Sequence, residues 1–473
     1  MLESFEYKGI FWLPRNQEDL KAGILKFTPE EGATLELIGG RFPEEEEKFL
    51  EFINEKIVKE KIILGVISKG TPVTLFNCIE IKSGSGFSSE NPSYWSSVMK
   101  ATVVFMGAHF SSEEEIKLKS ISTRYLFLDD WLNLKLLNVE RENEETITFK
   151  VPLSQQEILL YSDNELKITA SIIPELRLTC SHPPQPKGVE ALQPAYINLE
   201  TKEPNNLECL LSYGRIVQHL LTLAAGKPVY PLIVRGKTES GQEVDIFYAL
   251  PRLPEEIPSS TRMLFTYQDI SHRCQEIFAN LLEKEKLLQP VFLLYFGTLY
   301  NPKLYLENKF LSLVSALESL HSRSKDFEDT YLPSEEYNVV SEQLIETIPL
   351  QIPSALKDRL REIIKHGNEK SLRSRLKEIL KHYGDITRLF IDDFDAFIQK
   401  VIQTRNFYTH YGENLEQKAA EGSDLFRLNL KLNLLLKICL LRELGFTIED
   451  ITHMPSIQDE MKFLTGQNEI LWE

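Results

Sequence analysis

Arg405, Asn406 and His410 fall within the stretch VIQTRNFYTHYG, an otherwise apolar and aromatic run. A guanidinium presents a planar fork of donors that fits phosphate oxygens, and an imidazole can take and return a proton near neutral pH. Together they suit the cleavage of an anionic ester. On a helical wheel advancing about 100° per residue from Phe394, the side chains of Phe397, Ile398 and Val401 form an apolar stripe. Arg405 falls near the middle of that stripe, and Tyr408 follows one turn later. Arginine is rarely buried unless paired, so Arg405 must meet a carboxylate, a phosphate or a wet cleft. Asn406 and His410, four residues apart, share the neighbouring flank with Gln399 and Gln403. Arg405 and His410 lie about 140° apart on an ideal helix, so their convergence requires a loosened last turn, which Gly412 would permit. A histidine in the last turn also faces the negative end of the helix macrodipole, which favours the imidazolium form.

The elements that carry these residues divide the chain into a β-rich and a helical part, an α+β chain. Residues 1–135 hold short runs rich in β-branched and aromatic residues, among them GIFWLP, ATLELIGG, KIILGVI, TPVTLFNC, ATVVFMG and RYLFLDDW. Separated by segments such as TPEEG and SKGTP, they predict an antiparallel sandwich or barrel. The acidic run Glu44 to Glu47 reads as the start of a short surface helix. Residues 136–285 are mixed. TITFKVPL, LKITASII and ELRLTC look like strands, SHPPQPKG like an extended connector, and NLECLLSYGRIVQHLLTLAAG like a helix that stops at Gly226. YPLIVRG and VDIFYALP add two further strands, in a second lobe of the same region or a separate domain. From 286 to 473, six amphipathic or apolar segments predict a helical bundle, several ending in glycine (Gly367, Gly384, Gly412, Gly445) where a left-handed cap costs no Cβ clash.

Other residues could support the chemistry, each with a plainer reading. In YLENKFLSLVSALESLHSR, Glu318 lies on the flank of an apolar face, where it could hold Arg405 or simply be solvated, and His321 reads as a packing histidine. Tyr408 is a candidate supporting residue beside Arg405. KDRLREIIKHGNEKSLRSRLKEILK reverses the sign of the chain locally. Arg359, Lys365, Arg373 and Arg375 are its candidate contacts to a phosphate backbone, set against ordinary surface pairs at four-residue spacing. The remaining histidines form no metal-binding pair, so neither a metal nor a cofactor is expected. KSGSGFSSE lacks the Lys-Ser/Thr of a phosphate loop and reads as a flexible turn.

The composition is that of an ordinary folded protein. With 473 residues and 42% hydrophobic content the chain can bury more than one core. Its net charge of −17 excludes a surface that coats nucleic acid throughout, though not a local basic site. No stretch nears the roughly 18 consecutive apolar residues of a membrane helix, and the N-terminus lacks a signal-peptide order, so a cytoplasmic protein without membrane contact is expected. Cys78, Cys180, Cys209, Cys274 and Cys439 form no C-x-x-C pair, which points to reduced thiols.

RNFYTH resembles the R-x(4–6)-H motif of HEPN domains, in which a polar residue commonly follows the arginine, and it occupies a late helix of a C-terminal bundle. GIFWLP, GILKFTPEEGATLELIGG and IILGVISKGTPVTLFNC resemble the N-terminal region of ApeA-type anti-phage proteins, which pair a β-rich region with a C-terminal HEPN domain. The resemblance implies a metal-independent endoribonuclease of abortive infection, in which the ribose 2′-OH attacks the adjacent phosphate. It assigns proton transfer to His410, phosphate binding to Arg405 and an orienting role to Asn406. It also implies a homodimer or higher homo-oligomer through the HEPN domain that completes a composite site, an RNA substrate with transfer RNA as a candidate, and an N-terminal half that senses a phage cue, such as a phage protein, or restrains the helical nuclease. Two rivals stand beside it. One is a non-catalytic HEPN scaffold with Arg405 in a structural ion pair, the other a β-sandwich ligand-binding protein with a helical dimerisation tail.

Overall fold

A computed structural model describes residues 3–38, 40, 42, 59–68, 70–88, 91–134, 138–141, 147–150, 154–179, 188–250 and 262–466. The expected helix at Glu44 to Glu47, Cys180 and most of SHPPQPKG lie outside these residues. The chain forms two compact units, one of Met1–Ala225 and Val229–Gln275, the other of Glu276–Glu473 with Gly226–Pro228.

In the first unit, strands β1 (Phe5–Leu13), β2 (Asn16–Thr28), β3 (Gly32–Ile38), β4 (Lys59–Ile67), β5 (Thr71–Ser88) and β6 (Asn91–Met106) run in the order β6-β3-β2-β1-β4-β5. A direct pairing of β5 with β6 closes them into an antiparallel barrel. Of the two sequence alternatives the barrel is realised, and closure leaves no unpaired edge among these six strands. Alternate residues of each strand point inward, and Phe11, Leu25, Phe27, Leu35, Leu75 and Val104 are buried in its core. Space for the Phe11 ring exists because a glycine faces it: a Cβ on Gly65 would lie 2.7 Å from Phe11 Cε1.

The same sheet continues from β6 through β16 (Glu243–Tyr248), β15 (Pro231–Lys237), β7 (Lys117–Tyr125), β14 (Ala195–Asn206), β11 (Leu166–Ile172) and β10 (Gln156–Ser162), while β8 (Asn138–Arg141) with β9 (Ile147–Lys150) and β12 (Glu175–Thr179) with β13 (Gly188–Leu192) form two separate antiparallel pairs. The boundary expected near residue 136 therefore falls inside one continuous sheet. Helix α1 (Leu128–Leu132) follows β7, so RYLFLDDW is a strand end and a helix rather than a strand. Phe127 turns the chain in the left-handed conformation, and Leu128, Trp131 and Leu132 are buried by the helical turn that follows. Helix α2 (Leu207–Ala225), as expected, stops at Gly226 with φ +62° and packs its apolar face on β14 and β7. KSGSGFSSE is strand up to Ser88, not a turn: Gly84 pairs with Ser96 and Ser85 with Trp95 in the long β5–β6 hairpin. Cross-strand pairing there overrides the weak strand preference of glycine.

The second unit is helical, with α3 (Cys274–Tyr300), α4 (Leu306–Arg323), α5 (Ser334–Glu346), α6 (Ser354–Lys365), α7 (Leu372–His382), α8 (Phe394–His410), α9 (Gly422–Glu443), α10 (Ile448–His453) and α11 (Pro455–Leu464). The expected boundary at 286 cuts through α3, which continues past Pro290. Helix α4 packs against α7, α8 and α9, and α7 also touches α8. Helix α9 supplies much of the core, with Leu425, Leu432, Leu435, Ile438 and Leu441 buried. Helices α5 and α6 pack on each other and bury no residue of their own.

Candidate active site

The helix that carries the motif is set at both ends. Asp393 caps its start by accepting a hydrogen bond from the Ala396 N–H at 2.9 Å. Its end falls at Tyr411, which adopts the left-handed conformation (φ 49°, ψ 38°) while its N–H donates to the Phe407 carbonyl at 2.6 Å. The left-handed cap expected of Gly412 is thus held by the residue before it, and Gly412 has φ −73°. Of the other expected caps, Gly445 is left-handed (φ +97°), whereas Gly367 and Gly384 are not among the positive-φ glycines.

The buried side chains of α8 are Phe397, Ile398, Val401 and Thr404. Their mean direction on a helical wheel lies about 50° from Arg405, toward Thr404. Arg405 consequently sits at the margin of the apolar stripe, half-buried, and not at its centre. Three side chains at four-residue spacing fasten this face to the following segment. Lys400 donates to the carbonyls of Lys418 and Ala419, each at 3.1 Å, the Thr404 hydroxyl accepts from the Ala420 N–H at 2.9 Å, and the Tyr408 hydroxyl donates to the Ala420 carbonyl at 3.0 Å. The Tyr408 ring meets Phe310 of α4 edge-on at 6.3 Å, and burial raises its phenol pKa. Tyr408 holds the helix through these contacts. Thr404 escaped the sequence reading, although the polar row Lys400, Thr404, Tyr408 at four-residue spacing carries its signal.

With that face fastened, the other side of α8 is open. Asn406 is half-buried and His410 exposed. Arg405 Nη1 lies 3.4 Å from Asn406 Oδ1, and among the described residues the guanidinium has no carboxylate within ion-pair distance. The pairing considered between Glu318 and Arg405 is absent. The arginine turns to its own neighbour, away from the stripe that faces α4. A cavity of about 380 Å³ opens beside the N-terminal half of α8, lined by Asp393, Phe397, Lys400, Arg427 and Lys431 among others, but not by Arg405, Asn406 or His410. The motif lies outside this cavity, with His410 exposed and Arg405 and Asn406 half-buried.

The basic residues separate into two kinds. Arg359 and Lys365 are exposed on α6, and Arg373 is exposed on α7, hydrogen-bonded to Gln399. Gln399 shares the flank of Asn406 and His410, about 16 Å along the axis from His410. Arg375 is different: it is buried, paired with Asp329 at 2.5 Å, and donates to the Lys370 carbonyl at 2.8 Å. It is a structural residue, withdrawn from any RNA surface because α7 turns it inward beside Leu376 and Ile379.

His321 is fully buried in α4. It stacks on Phe327 at 4.7 Å and places Nε2 2.8 Å from Glu378 Oε2, a carboxylate that Lys370 also reaches at 2.9 Å. Burial lowers its pKa from the ordinary 6.5 more than the hydrogen bond and charge of Glu378 raise it. The sign follows directly. Below pH 6.5 the unfolded chain takes up a proton that the folded chain resists, so stability is complete above that pH and declines as pH falls through it. In thermal melts at about pH 7.5 and 5.5, wild type should lose more stability on acidification than His321→Phe. Equal losses would remove His321 as the source.

Among the described residues no helix is long and apolar enough to cross a membrane. A scan against protein-family models matches ApeA N-terminal domain 1 over residues 6–281, more than half of the chain, and Apea-like HEPN over residues 311–450. Searches of curated proteins and of solved structures returned no match. The helix bearing Arg405, Asn406 and His410 lies wholly inside the HEPN match. Such an architecture implies an anti-phage effector with a nuclease-type domain. A closed β-barrel with its sheet extension, followed by a helical bundle that presents this motif, thus belongs to the ApeA family, in which an ApeA N-terminal domain precedes an ApeA-like HEPN domain.

Proposed function

We propose that this protein is a metal-independent endoribonuclease of the cytoplasm, acting in abortive infection, with its β-rich half sensing a phage cue or restraining the helical nuclease. The observation that carries the reading is the state of Arg405: a guanidinium at the margin of an apolar stripe, without a carboxylate among the described residues, on the same helix as a solvent-facing imidazole. Burying part of a cation without an anionic partner is unfavourable unless a ligand supplies the anion. A backbone phosphate does so. The scaffold alternative places Arg405 in a structural ion pair, and among the described residues no carboxylate supplies one.

In the reaction the ribose 2′-oxygen forms a bond to phosphorus and the bond from phosphorus to the 5′-oxygen breaks, leaving a 2′,3′-cyclic phosphate and a 5′-hydroxyl. The 2′-OH proton must leave and the departing 5′-oxygen must gain one. His410, exposed and free to approach RNA, serves this proton transfer. Arg405 holds the non-bridging oxygens, where negative charge grows in the transition state, and Asn406 orients the guanidinium or the phosphate. Arg373 extends the cationic surface along the same flank, and Arg359 and Lys365 add phosphate contacts.

On one helix Arg405 and His410 diverge by about 140°, so enclosure of a single phosphate calls for a second copy of the chain. Mixing two inactive variants tests this. If one site draws on both protomers, Arg405→Ala and His410→Ala co-refolded or co-expressed regain RNA cleavage in the presence of a chelator, because about half of randomly paired dimers carry one intact arginine and one intact histidine. A mixture as inactive as its components, alongside an active wild type, would place the whole site within one protomer.

A further inference from the structure

Tyr411 follows His410 directly and is the residue least favoured by its own surroundings. Its backbone lies in the left-handed region at φ 49°, where glycine or asparagine is preferred and a bulky side chain is an outlier. The residue is 69% exposed. A helix end that needs a left-handed residue is ordinarily served by glycine. Here the glycine stands one position too late, at Gly412, and keeps φ −73°. Tyr411 therefore carries both a conformational penalty and a solvent-exposed aromatic face. Among the described residues its hydroxyl has no hydrogen-bond partner.

What the ring does touch is aromatic. Phe407 lies 5.5 Å away, tilted by 60°, and Tyr408 lies 6.4 Å away, edge-on at 77°. Tyr408 is itself fixed by its bond to Ala420, so the cluster rests on the fastened face of α8. Phe407 lies about 60° around the helix from His410, on the side away from Asn406. A phosphate at His410 would thus have an aromatic platform next to it, whichever copy of the chain supplies the arginine.

Resting on the ribonuclease reading, we infer that Tyr411, backed by Phe407, stacks an unpaired nucleobase next to the scissile phosphate. Every base has a π-face that such a platform accepts, so the contact tolerates sequence but requires a base outside the stack. The substrate class is therefore single-stranded RNA or a loop, and a continuous duplex is excluded. The exposed face of the ring is covered when the base arrives.

The test compares Tyr411→Gly, Tyr411→Trp and wild type on a short single-stranded RNA oligonucleotide, and on the same oligonucleotide made abasic at each nucleotide flanking the cleavage site. Tyr411→Gly removes the left-handed strain, so its melting temperature should equal or exceed that of wild type, and its mass by light scattering should be unchanged. Its kcat/KM on the intact oligonucleotide should fall by about 5- to 150-fold, the range of one lost base–aromatic stack. Tyr411→Trp should retain activity. With wild type, one abasic position should produce the same loss, and on that substrate Tyr411→Gly should cause no further loss. Unchanged cleavage by Tyr411→Gly would overturn the inference while leaving the ribonuclease reading intact. Dissociation of the oligomer by Tyr411→Gly would instead assign the ring to a subunit contact and overturn it as well. If wild type cuts no RNA, the ribonuclease reading fails first and takes the inference with it.

Discussion

His410→Ala is expected to lower RNA cleavage by about 10²- to 10⁴-fold, the usual worth of a positioned acid–base group, with the fold intact. The expectation of an unaltered fold is as specific as the expectation of lost activity. The imidazole is exposed and, among the described residues, has no hydrogen-bond partner, so its removal should change stability by no more than about 0.5 kcal/mol. Cleavage of labelled RNA, measured beside circular dichroism and a thermal melt, checks both halves. Equal cleavage by variant and wild type would end the assignment of His410 to the chemistry. Lost cleavage together with lost structure would mean that the side chain contributes to folding.

Arg405→Ala should cost about 10²- to 10³-fold, the usual loss when one preorganised donor to a developing oxyanion is removed. Arg405→Lys discriminates between charge and shape. It keeps the cation and most of the aliphatic stem that lies along the half-buried margin of α8, but replaces a planar fork with a point charge. Little recovery by lysine is expected, because the growing charge is spread over two oxygens of the phosphate. The double variant Arg405→Ala/His410→Ala should lose far less than the product of the single losses, since the two groups act on one transition state. Full recovery by lysine would reduce Arg405 to a general electrostatic attractant, and losses that multiply would argue that the two residues serve separate steps.

The local parts of this molecule were readable from residue order, and the parts that depend on distant partners were not. Helices α4 to α9 follow from apolar spacing, and α2 ends at Gly226 where the pattern stops. Helix α3 was missed because PVFLLYFGTLY is apolar all round and Pro290 breaks the helical signal, although one lost backbone bond does not end the helix. Barrel closure also needs pairs between strands not adjacent in sequence, such as Phe11 with Gly65 and Leu35 with Met99, which local patterns of alternation cannot specify. The motif itself was legible as R-N-x-x-x-H. Arg405 lies about 50° from the mean direction of the buried face, and not near its middle, because the face includes Thr404, whose hydroxyl binds Ala420, while Phe394 is only half-buried. Arg375 and Arg373, two residues apart in one basic run, look alike in sequence. Only the facing of α7 separates a buried partner of Asp329 from a surface cation.

The pairing of β5 with β6 has a consequence for the order of events on the ribosome. Once Met106 has emerged every strand of the barrel is present, whereas Phe394, the first residue of α8, comes about 290 residues later. At roughly 5–20 residues per second that interval lasts about 15–60 seconds, longer than the milliseconds to seconds in which strand-rich domains of high contact order usually fold. The slower-folding architecture is thus translated first. The helix that carries the proposed chemistry is completed only after the barrel has had ample time to form.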